Sequence, residues 1–166
     1  GMIYESADYH NAVFVGKDKD GVSVHAHKRG SGSESSYKGN VTGSDPKYSF
    51  HWTGKSGRLY VFEAPIDLLS FLTLYQKEWE QHSYVALCGL SEQGLFQMLE
   101  DVPYIRQVAL CLDRDRAGLQ AEERIQKNLE GRGYREVFPL FPSGKDWNED
   151  LQELMAKGRR ENLQMQ

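Results

Sequence analysis

"ALCLDRDRAGLQAEERI", residues 109–125, decides how this chain is read. An apolar run ends in two aspartates one residue apart, each followed by arginine, and passes through Ala117 and Gly118 into a helical pattern. A strand that only had to stop needs one turn residue. Alternate residues of an extended segment face the same way, so Asp113 and Asp115 can direct two carboxylates at one place. An Asp between a strand and a helix is also a common N-cap, and Asp115 before "RAGLQAEERI" suits that role equally.

The same strand-then-helix grammar begins at residue 58. "RLYVFEA" reads as a strand, and "PIDLLSFLTLYQKEWE" as a helix with Pro65 in its first turn and apolar residues at Ile66, Leu68, Leu69, Leu72, Leu74 and Tyr75. "SYVALCGL" reads as a strand and "SEQGLFQMLEDV" as a short helix capped by Ser91. "QVALCLD" is a strand, "AGLQAEERIQKNLEGRG" a helix closed by glycine, "REVFPLF" a strand and "NEDLQELMAKG" a last helix. Four apolar strands, each followed by a helix, predict an α/β fold: a parallel four-stranded sheet with helices on both faces.

Residues 1–57 differ in composition. The runs "NAVFVG", "GVSVHAH" and "YSFHW" are separated by the turn signals "KDKDG", "RGSGSESS" and "TGSDP", which predicts a small antiparallel β subdomain ahead of an α/β domain over residues 58–166. "RGSGSESS" has nothing to bury and is the candidate mobile loop.

With 39% apolar and 27% charged residues among 166, the chain is long enough for one well-buried core. No apolar run approaches the roughly 18 residues of a membrane span, and the N-terminus lacks a signal-peptide layout, so a cytoplasmic protein without membrane association is expected. Gly1 before Met2 reads as a tag remnant. Cys88 and Cys111 sit in apolar runs with no second Cys or His at metal-ligand spacing, as buried small side chains do. The net charge of −4 argues against a general polyanion binder. Lys28, Arg29, Lys38, Lys47, Lys55 and Arg58 nevertheless outnumber Glu34 and Asp45 in the N-terminal third. That stretch suits a solvated surface or a phosphate-tracking one.

In open α/β sheets, ligands bind outside the carboxyl ends of the strands where strand order reverses. This rule selects Glu63 and Asp113. Asp115 follows in the loop, and Asp67 lies one helical turn beyond Glu63. If the first and third of the parallel strands are neighbours, these acids meet on one edge. Crowded carboxylates repel, and a divalent cation relieves the repulsion; Mg²⁺ prefers one or two protein carboxylates, with waters and phosphate oxygens completing its shell. In "PSGKDWNEDL", Gly144 permits a sharp turn, Lys145 can meet a phosphate and Asp146 can join the acidic edge, while Asn148 caps the last helix and Trp147 anchors its start.

"YVFEAPIDLLSFL", "VALCLDRDRAGLQAEERI" and "FPSGKDWNEDL", in that order, resemble the toprim domain shared by DnaG-type primases, topoisomerases and some nucleases, most nearly its primase branch. "YHNAVFVGKDKDG", "HKRG" and "GSDPKYSFHW" resemble the segment before a toprim-like domain in proteins of bacterial plasmids and conjugative elements. The resemblance implies Glu63 as general acid or base or metal ligand, Asp113 and Asp115 as a Mg²⁺-chelating pair that Mn²⁺ can also fill, and Asp67 and Asp146 as supporting acids. Two departures stand out. Ala64-Pro65 replaces the usual glycine after the glutamate, and Asn148 stands where primases often carry a second acid.

The function this implies is primase-like nucleotidyl transfer in replication or mobilisation, with single-stranded DNA and nucleoside triphosphates as ligands and a helicase or other replication or mobilisation protein as partner. Lys28, Arg29, Lys38, Lys47, Arg114, Arg116 and Lys145 are the candidate phosphate contacts, and N-terminal Tyr and Trp residues offer stacking surfaces. A metal-dependent nuclease on the same acids, or an inactive single-strand-binding module, are the alternatives. A topoisomerase needs a nucleophilic tyrosine on a separate large domain, for which these residues leave no room.

Overall fold

A computed structural model describes residues 2–32, 37–89 and 91–164, with side chains through 159. The "SESS" part of the expected mobile loop lies outside the described residues. Strands β1 (Ile3–Glu5), β2 (Ala12–Lys17), β3 (Ser23–Arg29) and β4 (Lys38–Asn40) form an antiparallel meander in chain order. Strand alternation puts Phe14, His25, His27 and Arg29 on one face and Lys28 on the other.

After a 3₁₀ turn at Pro46–Tyr48 come β5 (His51–Trp52), β6 (Arg58–Phe62), α1 (Pro65–Leu74), β7 (Ser83–Ala86) and α2 (Gln93–Asp101). β8 (Gln107–Leu110), α3 (Arg116–Gly131), β9 (Glu136–Pro139) and α4 (Trp147–Gln164) complete the chain. The second sheet runs β5-β7-β6-β8-β9. Its β6, β7, β8 and β9 are parallel, as the sequence predicts, and β5 adds an antiparallel edge. "YSFHW" therefore does not belong to the small sheet. Its first half is turn, because Asp45 accepts the Lys47 N–H and Pro46 starts a helical turn, and its last two residues pair with β7.

β6, β7 and β8 are apolar on both faces because both are covered, while the edge strand β9 leaves Glu136, Phe138 and Pro139 exposed. Leu59, Val61, Val85, Val108 and Leu110 meet Leu95 and Leu99 of α2 and Ala121, Ile125 and Leu129 of α3 on one side. Phe62, Tyr84, Ala86, Ala109 and Cys111 meet Leu68 and Phe71 of α1 and Trp147 of α4 on the other. Each fully buried aliphatic side chain here contributes about 1.5–3 kcal/mol. The small sheet joins this second core through the edge-on contact of Phe14 with Phe50. Gly16 permits that approach, since a Cβ there would fall 1.6 Å from the Tyr48 carbonyl oxygen.

Three helix boundaries differ from the sequence reading, the first being α4, which runs past Gly158 to Gln164. α1 stops at Leu74 because the apolar spacing gives way to "QKEWE", with Tyr75 leaving helical geometry and Glu78 at φ 55° opening a separate 3₁₀ turn. Ser91 does not cap α2. Glu92 occupies that position and its carboxylate instead accepts from Arg124 and Asn128 of α3.

Candidate active site

β6 is central: its crossover through α1 leads to β7 on one side, and the chain then returns through α2 to β8 on the other. β6 and β8 are therefore hydrogen-bonded neighbours whose following helices leave to opposite faces, the reversal at which open sheets bind ligands. Glu63 and Asp113 stand just beyond the two strand ends. The Glu63 backbone is held by the Gly89 N–H on its carbonyl at 3.3 Å.

Asp113 is the centre of strain. Its Oδ1 is buried and, among the described residues, has no hydrogen-bond partner. Burial, and then the charges of Asp67, Glu63, Asp146 and Asp115, push its carboxyl up to about 7. The other four acids selected from the sequence thus lie within electrostatic reach of Asp113. Asp67, only 4% exposed, is raised to about 6 by burial and Asp146, against the pull of the Asn148 N–H and of Arg29. Burial and Asp115 raise Glu63, while Lys38 and Lys145 draw it down.

The surrounding loops are built by caps. Asp115 Oδ1 accepts the Gly118 N–H at 2.9 Å, so this residue is the N-cap of α3 as well as a member of the acidic group. Gly118 is dictated by proximity: a Cβ there would lie 2.0 Å from the Asp113 carbonyl oxygen. Asp146 Oδ1 accepts the Glu149 N–H at 2.8 Å, and the Glu149 carboxylate reaches back to the Lys145 N–H at 2.6 Å. Asp146, not Asn148, therefore caps α4, because Asn148 already lies inside the helix. The Asp-x-x-Glu capping spacing of Asp146 and Glu149 was the available signal. Sequence reasoning also missed Asp150, whose two oxygens accept the Ser143 and Gly144 N–H groups, each at 2.7 Å, and clamp this loop. Trp147 anchors the helix as expected, 2% exposed with Nε1 donating to the Cys111 carbonyl.

Of the candidate cations, Arg29 acts electrostatically on Asp67, and Lys38 and Lys145 on Glu63. Arg29 and Lys38 are direct cross-strand partners on β3 and β4, and two such cations side by side repel unless an acidic surface faces them. The others go elsewhere. Lys28 is on the opposite face of β3, beside Tyr9 and Tyr37, and Lys47 lines a separate cleft of about 310 Å³ with Lys17 and Lys19. Arg114 leans towards the Ser143 carbonyl at 3.5 Å, and Arg116 is exposed at the start of α3.

Among the described residues, no group of three or more His, Cys, Asp or Glu side chains is gathered tightly enough to hold a metal alone. An orphaned, half-buried carboxylate among four others fits a cation that takes one or two carboxylates and leaves its remaining positions to water and phosphate.

Residues 60–151 match the Toprim-like family model, and residues 1–56 match a family of proteins of unknown function, DUF3991. The uncharacterized protein pXO2-78 of Bacillus anthracis is 29% identical over 190 residues, covering 96% of this chain and 54% of that protein. The chain spans about half the length of the curated relatives it matches. The primase fragment of the bacteriophage T7 primase-helicase protein superposes with a TM-score of 0.67 at 20% identity, over 93% of this chain and 64% of that one. A DnaG primase catalytic domain bound to ssDNA gives 0.62 at 16% identity, over 99% and 56%. These likenesses show a shared fold.

Proposed function

This chain belongs to the Toprim-like family, and from that membership we propose that it carries out Mg²⁺-dependent phosphoryl transfer on nucleic acid, of the primase-like nucleotidyl-transfer kind. The observation that carries the reading is Asp113, whose buried Oδ1 lacks a partner while four carboxylates raise its proton affinity. Such a group is costly unless a cation is bound.

Asp113 and the free oxygen of Asp115 would hold the ion, with Asp67 and Asp146 adding negative charge behind them. A divalent cation bound there neutralises phosphate charge and lowers the proton affinity of an attacking hydroxyl. Glu63, whose proton affinity is raised by burial and then by Asp115, is suited to accept that proton. Arg29, Lys38 and Lys145 offer positive charge to phosphate oxygens from the side facing the acids. Single-stranded DNA and nucleoside triphosphates are the proposed ligands, and a helicase or other replication or mobilisation protein the proposed partner. The structural neighbours, a primase-helicase fragment and a primase domain bound to ssDNA, support that choice.

One observation favours a second reading. Asp115, Asp146 and Asp67 each accept a backbone N–H, so three of the five acids already have structural work, as in a nucleic-acid-binding module without turnover. The test measures Mn²⁺ affinity and template-directed dinucleotide formation in the wild type and Asp113→Asn. Metal binding and product that both disappear in the variant support phosphoryl transfer. Wild-type chain that binds single strands equally well in EDTA and takes up no Mn²⁺ supports the binding module.

A further inference from the structure

The sheet is electrically polarised. β6 starts at Arg58 and leads to Glu63; β8 follows Arg106 and leads to Asp113; β9 follows Arg135, and α3 ends against Arg132. The arginines stand at the amino ends and the acids at the carboxyl ends, ~16 Å apart for a five-residue strand.

The amino end is a continuous shallow surface. Arg106, Arg132, Arg135 and Tyr134 line a depression of about 370 Å³, and Arg58 and Arg106 line an adjoining one of about 340 Å³. Among the described residues, none of these four arginines pairs with a carboxylate. Neutral groups hold three of them instead. Arg58 Nε donates to Gln107 Oε1 at 2.9 Å, Arg106 donates to the Ile105 and Pro103 carbonyls, and the Arg132 guanidinium lies 3.9 Å from the centroid of the Phe96 ring. Glu136, the carboxylate of this region, accepts from Gln107. A helix C-terminus accounts for Arg132. It does not account for four unpaired arginines on one end of a chain with 24 acidic and 20 basic residues.

We propose that this arginine end binds the phosphate backbone of a single-stranded nucleic acid, as a contact point remote from the acidic edge. The choice of ligand rests on the nucleic-acid reading above. Within that reading, guanidinium forks match phosphate oxygens two at a time, and fixing them beforehand lowers the entropy lost on binding. The exposed Tyr104, two residues before Arg106, offers a ring face for a base, and Tyr134, partly buried against the core, lines the depression.

The experiment is fluorescence anisotropy of a labelled oligothymidylate in EDTA, with the wild type and an Arg106→Gln, Arg135→Gln double variant whose melting temperature is checked. The expected result is binding weakened about tenfold, and a slope of log affinity against log salt reduced by about 1.4, or 0.7 for each lost phosphate contact. If the double variant fails to fold, Arg135→Gln, at an exposed side chain, is expected to reduce the slope by about 0.7. Unchanged affinity and slope, or wild-type binding that requires Mg²⁺, overturn the proposal. So does a polyglutamate peptide of equal charge that competes as well as the oligonucleotide, which assigns the surface to an acidic protein. Mn²⁺ binding lost in Asp113→Asn beside oligonucleotide binding unchanged in the arginine variant overturns this proposal alone. The reverse pair of results overturns the acidic-edge reading and keeps this one.

Discussion

The backbone N–H of Asn148 donates to Asp67 Oδ1 at 3.2 Å, joining α4 to α1 across 81 residues of sequence. A second link, Ser70 Oγ to Asn148 Oδ1 at 3.4 Å, lies beside it. The acid that adds charge to the site thus also fastens the last helix onto the sheet.

Asp67→Ala removes the acceptor and leaves a helix N–H without its partner. The expected cost is about 1–2 kcal/mol in urea unfolding. Asp67→Asn keeps an oxygen for that N–H while removing charge from a repulsive group, so its stability is expected within about 0.5 kcal/mol of the wild type. Equal losses in both variants would show that the charge, and not the hydrogen bond, fastens the helix.

Stability against pH follows from the same acids. Asp113 near 7 and Asp67 near 6 bind protons more tightly folded than unfolded, where a carboxyl titrates near 3.9. Between those values the folded chain holds more protons, so this contribution is fully present below about pH 4 and is lost as the pH rises through 6 and 7. Metal-free chain is expected to melt higher at pH 5 than at pH 8, with millimolar Mg²⁺ restoring part of the difference at pH 8. Asp113→Asn is expected to flatten the profile and raise the pH 8 melting temperature by about 2–4 °C, near 1 kcal/mol once solvent screening is allowed for. A variant that melts lower at pH 8 would mean that Asp113 is stabilising, not strained.

Two glycines of α3 separate crowding from helix propensity. At Gly118 an added Cβ meets the Asp113 carbonyl, whereas at Gly131 it meets nothing within 4 Å. Gly118→Ala is expected to destabilise by about 1–3 kcal/mol and to weaken Mn²⁺ binding by displacing Asp113. Gly131→Ala is expected to stabilise by about 0.5–1 kcal/mol. Chemical denaturation of both, with Mn²⁺ titration of the first, checks the pair.

These positions also show what was legible in the sequence. The parallel sheet was readable because Leu59, Val61, Val108 and Leu110 sit in short apolar runs closed by acids, a pattern that depends only on neighbours in the chain. The junction of β5 was not, since His51–Trp52 pairs with β7 through backbone groups that every residue possesses. Glu63 and Asp113 were selected from strand ends, Asp115 and Asp146 from loops, and Asp67 from helical spacing. Which cations join them was hidden: Arg29 and Lys28 are adjacent in sequence, and strand alternation sends one toward Asp67 and the other to the far face. Composition cannot make that distinction.

Asp115 has two roles that substitution can pull apart. Its Oδ1 caps α3 through the Gly118 N–H, and the cap needs an oxygen but no charge. Asp115→Asn is therefore expected to keep the melting temperature while weakening Mn²⁺ binding about tenfold, because a neutral amide gives a divalent cation far less than a carboxylate does. Asp115→Ala loses both roles, at a cost of about 1 kcal/mol in stability. Calorimetric Mn²⁺ titration beside thermal melts reads both quantities on the same samples. Full Mn²⁺ affinity in Asp115→Asn, with lowered stability in Asp115→Ala, would assign Asp115 to the helix alone. The ion would then depend on Asp113 with Asp67, Glu63 or Asp146, the remaining acids within electrostatic reach of it.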